Sequence, residues 1–114
     1  MSKEINTIVA LCDFNIINTV CKDIADSKTG IEVSELLIEE LSELIKAVIK
    51  LERWDNGETT LRYNIDEIYN NLYEELADVI IMMLQFTYKN KIEYKDLLNK
   101  MCGKLIRYYE TKQD

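Results

Sequence analysis

Hydrophobic residues recur along most of the chain at the three- and four-residue spacing that is typical of amphipathic helices. The pattern predicts four helices, at about residues 3–26, 33–54, 64–88 and 94–111. The second helix has the most regular stripe, whose alternating four- and three-residue steps predict one buried face. That stripe consists of Leu37, Leu41, Leu44, Val48 and Leu51. On the fourth helix, the residues predicted to face inward are Leu97, Met101, Leu105 and Tyr108.

Residues that start or stop helices stand between the predicted segments. The stretch 27–30 separates the first two helices, and Asp55-Asn56-Gly57 ends the second. Asn64, with Glu67 three residues later, matches the capping-box pattern and opens the third helix. The chain has no proline and three glycines, so it holds few of the turn residues that hairpins require. We therefore predict one all-α domain over residues 1–114.

The second half of the third predicted helix is apolar on nearly every side. It contains the run from Val79 to Leu84, followed by Phe86, whereas the first half of the helix is amphipathic. Four helices in a chain of 114 residues can hardly cover such a surface alone, and large exposed apolar patches mark interfaces. The sequence thus predicts a four-helix bundle that is completed by oligomerisation, as a homodimer or homotetramer.

The composition is that of a folded, acidic protein. Hydrophobic residues make up 47% of the chain and charged residues 31%, a balance that excludes a disordered acidic tail. The net charge of -7 opposes binding to nucleic acid and to anionic membranes. A small anionic substrate is compatible with this charge if a bound cation reverses the sign locally. There is no basic, apolar-cored leader, and no apolar run approaches the roughly 20 residues that span a bilayer, so we expect a cytoplasmic protein.

The chain contains no histidine, which excludes several kinds of site. Catalytic triads that use histidine and the Glu-x-x-His di-iron helical bundles cannot be built without it. Cys12, Cys21 and Cys102 are an odd number of cysteines on predicted helices, which is not a disulfide framework. We expect them to be reduced residues of the core.

Two predicted helices carry the same pattern of acidic residues. Residues 39–43 read Glu-Glu-Leu-Ser-Glu, and residues 74–78 read Glu-Glu-Leu-Ala-Asp. Acids three positions apart lie on one side of a helix, so two such helices packed side by side can direct four carboxylates at one point. On helical wheels, the acids beside the apolar stripes are Glu40, Glu43, Glu75 and Asp78. Hard divalent cations prefer such oxygen clusters.

A solvated surface is the alternative explanation for these acids. Glutamate pairs at this spacing are common on exposed helix faces, and either segment alone is better explained in that way. The two segments together favour a metal site, because they lie on the two most hydrophobic helices and no lysine stands four residues after any of the acids. Buried acids also repel one another unless a cation or a shared proton compensates.

At these residues the chain resembles the MazG-like nucleotide pyrophosphohydrolases, an all-α family whose signature is E-x-x-E followed across a loop by E-x-x-D. The likeness runs from about Ile38 to Tyr109. It implies Mg²⁺, with Mn²⁺ as a substitute, held by Glu40, Glu43, Glu75 and Asp78, and hydrolysis of a nucleoside triphosphate to a monophosphate and pyrophosphate. Among these acids, our hypothesis for the general base is Glu43.

Five further residues are candidates for substrate binding. Lys50 and Trp54 follow Glu43 along nearly the same helix face, where the indole ring has the shape to stack on a base. A basic row on the fourth helix, Lys100, Lys104 and Arg107, has the charge to hold phosphates. Both features have plainer explanations, because a tryptophan at a helix end is often a core or dimer contact and a basic row is usually a solvated face.

Two departures from the family pattern concern the substrate. The loop between the two acidic segments is somewhat longer than in many members, and Lys104 stands where related dCTP-type enzymes often have asparagine. Phosphoribosyl-ATP pyrophosphohydrolase is an alternative within the same fold. A non-catalytic helical interaction protein, whose acids only keep it soluble, is the alternative outside it.

Overall fold

The computed structural model describes residues 13–57 and 64–113, apart from the side chain of residue 113. Within these ranges the chain forms four helices and no strand, which confirms the all-α prediction. They are α1 (Phe14–Asp26), α2 (Gly30–Asp55), α3 (Ile65–Lys89) and α4 (Tyr94–Gln113). The predicted start of the first helix, Cys12 and the loop over residues 58–63 lie outside the described residues.

Side chains cap the first three helices. The Asp13 carboxylate accepts a hydrogen bond from the backbone N–H of Ile16 at 2.9 Å, and Thr29 Oγ1 accepts one from the N–H of Glu32 at 3.1 Å. Asn64 is the N-cap of α3, as predicted, and its Oδ1 accepts from the N–H of Glu67 at 2.9 Å. Such bonds satisfy backbone donors that the first turn leaves without partners. Because Thr29 is a cap, α2 begins three residues earlier than its apolar pattern predicts.

Helix α3 is the centre of the packing, because it contacts both α2 and α1. The buried apolar residues come from these three helices: Cys21, Ala25, Val33, Ala47, Ile68, Val79, Met82 and Leu84. One polar side chain, Gln85, is buried with them, and its Oε1 accepts a hydrogen bond from Lys28 Nζ at 3.2 Å. The free thiol of Cys21 belongs to this core, but that of Cys102 is exposed, so the core prediction is wrong for Cys102.

The buried face of α2 differs from the predicted stripe. Leu41 and Val48 are 40% and 49% exposed, whereas Val33 and Ala47 are buried. Helix α2 carries two apolar stripes, and the small Ala47 side chain allows α3 to approach the stripe that contains it. The other stripe, which includes Leu41 and Val48, is left on the outside of the chain. The prediction was therefore wrong for Leu41 and Val48, whereas Leu37, Leu44 and Leu51 of the predicted stripe are half-buried beside Val33 and Ala47.

The chain exposes more surface than a compact monomer of its mass. Its accessible area is 9222 Å², whereas a folded monomer of 13.4 kDa should expose about 6,500 Å². Helix α4 has no buried side chain among those described, so the prediction that it faces inward is wrong for this chain on its own. Its exposed residues include Leu97, Met101, Leu105 and Tyr108. In the described ranges no helix combines the length and the apolar character that crossing a bilayer requires.

Candidate metal centre

Three carboxylates from two helices converge between α2 and α3. Glu40 comes from α2, and Glu75 and Asp78 come from one side of α3, three residues apart. One carboxylate oxygen of each residue lies within 4.8 Å of the others. Glu40 projects from the same face of α2 as the buried Val33 and Ala47, which is the face that packs on α3. The helix pairing therefore places these acids together.

The charges of this acidic cluster act on Glu40. Burial raises the pKa of the Glu40 carboxyl, and repulsion from Asp78, Glu75, Glu39 and Glu43 raises it further. Glu40 and Glu75 are half-buried, and Asp78 is exposed. A raised pKa means that the negative charge of Glu40 is held at a cost, which a nearby cation would remove.

The donor set fits a hard divalent cation. All three donors are carboxylate oxygens, which Mg²⁺ and Mn²⁺ accept readily. Oxygens on opposite sides of one Mg²⁺ are about 4.2 Å apart, twice the metal–oxygen distance of roughly 2.1 Å. Adjacent oxygens on one Mg²⁺ are about 3.0 Å apart, and among three ligands at most one pair is opposite. The three oxygens lie within 4.8 Å of one another, so side-chain rotations have to draw them closer to place them on one ion.

Glu43, the fourth predicted ligand and the predicted base, lies at the edge of this cluster. It is exposed, and its Oε1 forms an ion pair with Lys46 Nζ at 3.2 Å. Successive helical residues turn by about 100°, so Glu43 points about 60° away from Glu40, towards the rim of the α2–α3 contact. The structure thus groups Glu40, Glu75 and Asp78 and leaves Glu43 beside them. Lys46 stands three residues after Glu43, a spacing that also allows an ion pair on a helix.

The candidates further along α2 are half-buried. Lys50 and Trp54 both have intermediate exposure on the helix that carries Glu40. The Nε1 atom of Trp54 is buried and has no hydrogen-bond partner among the described residues. A buried N–H without a partner costs about 1–3 kcal/mol, so a hydrogen-bond acceptor that reached this atom would be favoured.

The basic row on α4 is separate from the acidic cluster. Lys100, Lys104 and Arg107 are exposed, and Arg107 Nε donates to the carbonyl of Gly103 at 3.4 Å. Helix α4 has no extended contact with α2 or α3 within the described part of the chain. In a single chain, the structure therefore does not bring these three residues to the carboxylates.

Comparison with known protein families assigns the chain. The family model of the MazG nucleotide pyrophosphohydrolase domain matches residues 28–111. The chain belongs to this family. The matched part of the MazG domain contains all of α2 and α3, and with them the three converging carboxylates, and most of α4. Comparisons with curated proteins and with solved structures gave no match.

The assignment confirms the resemblance that was based on the two acidic segments. It extends the likeness to residue 28, ten residues before the expected start at Ile38, and so includes the cap and first turns of α2. The MazG domain is all-α, as the four described helices are. We therefore interpret the acidic cluster in terms of the chemistry of a nucleotide pyrophosphohydrolase.

Proposed function

We propose that this MazG domain is a Mg²⁺-dependent pyrophosphohydrolase that cleaves nucleoside triphosphates between the α and β phosphates. The observation that supports this function is the set of three carboxylate oxygens, from two packed helices, within 4.8 Å of one another. A triphosphate and an acidic protein repel each other, so the reaction needs a site at which negative charge meets a cation.

Glu40, Glu75 and Asp78 hold the cation in this proposal, and Glu43 lies beside them at the edge of the cluster. A divalent ion bound there would neutralise phosphate charge and lower the pKa of a bound water. Glu43 acts as general base, taking a proton from the attacking water, for which its exposed position beside Glu40 is suitable. Lys46 orients the Glu43 carboxylate through their 3.2 Å ion pair.

The substrate contacts are assigned by position and charge. Trp54 stacks on the base, and Lys50, on the same helix, contacts the phosphates. Lys100, Lys104 and Arg107 supply further cations for the β and γ phosphates. Because α4 has no extended contact with the helices of the acidic cluster, these three residues act only when α4 is packed in the assembled protein.

Assembly into a homodimer or homotetramer is part of the proposal. The chain exposes roughly 2,700 Å² more than a compact monomer of its mass. A standard interface buries about 800 Å² per partner, and obligate interfaces bury more. The outer stripe of α2 and the apolar surface of α4 are the regions that such contacts would cover.

The test is a substrate panel with added Mg²⁺. The purified protein is incubated with the canonical ribo- and deoxyribonucleoside triphosphates and with phosphoribosyl-ATP, and the products are separated by chromatography. We expect a monophosphate and pyrophosphate from at least one triphosphate, and loss of this activity in Glu75→Gln and Asp78→Asn. Glu74→Gln, next to Glu75 but outside the cluster, is the matched control and should remain active. Release of orthophosphate with a diphosphate, or no turnover of any compound, would refute the proposal.

A further inference from the structure

A second polar cleft lies where the end of α3 meets α1 and the start of α4. It has a volume of about 380 Å³, and the residues that line it include Lys22, Tyr88, Lys91 and Glu93. Tyr88 follows Asp78 by ten residues on α3, which places the cleft about 15 Å along the helix from the acidic cluster. The cleft is therefore separate from the candidate metal centre.

Hydrogen bonds fix the aromatic walls of this cleft. The Tyr88 hydroxyl donates to Asp26 Oδ1 at 2.8 Å, and the Tyr94 hydroxyl donates to Asn18 Oδ1 at 3.1 Å. Lys22 Nζ lies 5.8 Å from the centre of the Tyr88 ring, which holds the ammonium group over an aromatic face. These contacts are formed before any ligand binds, so binding does not have to order the walls.

Lys91 occupies a backbone position that normally belongs to glycine. Its φ is +56°, and it is the one non-glycine residue with positive φ among those described. The backbone N–H of Lys91 donates to the Tyr88 carbonyl at 3.1 Å, and that of Ile92 donates to the Thr87 carbonyl at 2.9 Å, which is the Schellman pattern of a helix end. A side chain at this position strains the backbone, and such strain is concentrated at functional sites. Lysine here places a positive charge at the cleft.

The charges around the cleft suit a ligand with an acidic end and an amino group. Lys89 Nζ is committed to the carbonyl of Ala25 at 3.0 Å, but in the described part of the chain neither Lys22 nor Lys91 forms an ion pair. These two ammonium groups match a phosphate. The Glu93 carboxylate in the same lining can accept hydrogen bonds from an amine.

We propose that this cleft is a second nucleotide site, which binds a nucleoside monophosphate whose base carries an exocyclic amine. Lys22 and Lys91 hold the phosphate, Glu93 accepts from the base amine, and Tyr94 and Ile92 contact the base. The choice of a nucleotide rests on the proposed function, because a monophosphate is the product of that reaction. The cleft, its charges and its fixed walls do not depend on that function.

Calorimetric titration of the full chain with CMP, UMP and inorganic phosphate tests the proposal. EDTA is present throughout, so that the metal centre contributes no binding. We expect CMP to bind more tightly than UMP and inorganic phosphate, and Asp78→Asn to bind CMP as the wild type does. Absence of CMP binding, or equal affinities for the three ligands, would overturn the assignment.

Lys91→Gly separates binding from folding. Glycine adopts a positive φ without strain, so this variant should melt at a higher temperature than the wild type. It also loses a charged phosphate contact, which should weaken CMP binding by about tenfold or more. Lys95→Ala, an exposed lysine outside the cleft, is the control and should bind normally. If Lys91→Gly bound CMP as tightly as the wild type, the ligand would lie elsewhere and the proposal would fail. These titrations measure binding and not turnover of triphosphates. Failure of this proposal can therefore be distinguished from failure of the proposed function.

Discussion

Replacing Glu40 with glutamine should change the stability of the protein in opposite directions with and without metal. In the metal-free protein, Glu40 has a carboxylate oxygen within 4.8 Å of those of Glu75 and Asp78. Two like charges at 4.8 Å repel by about 0.9 kcal/mol in water, and physiological salt reduces this to about 0.5 kcal/mol. Two such repulsions give about 1 kcal/mol, which should raise the Tm of metal-free Glu40→Gln by roughly 4 °C.

With metal, the order should reverse. A ligand at one hundred times its Kd stabilises the folded state by about 2.7 kcal/mol, which exceeds the gain from removing the repulsion. The wild type should therefore melt above Glu40→Gln when Mg²⁺ or Mn²⁺ is saturating. Scanning calorimetry or a fluorescence melt, in EDTA and over a series of metal concentrations, measures both differences.

Glu39→Gln is the matched control, since it removes the same charge from the neighbouring, exposed residue outside the cluster. It should keep the metal-induced rise in Tm. A Glu40→Gln variant that melts above the wild type at every metal concentration, or a Glu39→Gln variant that shows the same reversal, would refute the assignment of this cluster as a cation site.

Three further predictions concern single side chains. Glu43→Gln should lower kcat by about 10²- to 10⁴-fold, as expected for loss of a general base, yet retain the Mg²⁺-induced rise in Tm; loss of that rise would make Glu43 a ligand instead. Trp54 is the one tryptophan of the chain, so stacking on a base should quench the intrinsic fluorescence when a nucleotide binds with Mg²⁺, and an unchanged spectrum would exclude that contact. The hydrogen bond to Asp26, together with the charge of that carboxylate, raises the pKa of Tyr88 above its ordinary value of 10.0. The contribution of Tyr88 to folding stability is thus complete below pH 10 and is lost as the pH rises through its folded-state pKa. In pH-dependent melts, Tyr88→Phe should abolish this alkaline loss of stability.

Much of the fold could be predicted from the sequence because capping residues and helical spacing indicated the same helices. Asn64 and Glu67 predicted the start of α3 through one capping hydrogen bond, and the structure contains that bond. The helical spacing of Glu75 and Asp78 was sufficient to place both on one side of α3, where they meet Glu40. Local sequence determines such features, since they depend on contacts within one or two turns of helix.

Other features depend on contacts that periodicity does not encode. Leu41 and Val48 belong to the predicted apolar stripe of α2 but are exposed, because the buried face is centred on Val33 and Ala47, and the pattern alone does not fix the centre of that face. Glu43 lies only three residues from Glu40, yet this offset moves it to the rim of the helix contact and towards Lys46. The left-handed turn at Lys91 was missed because lysine is not a residue that usually marks such a turn.

If the chain assembles as proposed, the exposed surface of α4 links the folding of this helix to protein concentration. Beyond the hydrogen bond from Tyr94 to Asn18, this helix of 20 residues has few tertiary contacts in the described part of the chain, and helices gain most of their stability from tertiary packing. In the proposed assembly, neighbouring subunits pack on α4 and stabilise it, and mass action would then make its ordered fraction fall on dilution. Amide hydrogens of α4 should consequently exchange faster as the protein is diluted, while those of the α2–α3 pair change less. In the proposed assembly, the number of ordered residues thus depends on the protein concentration as well as on the sequence.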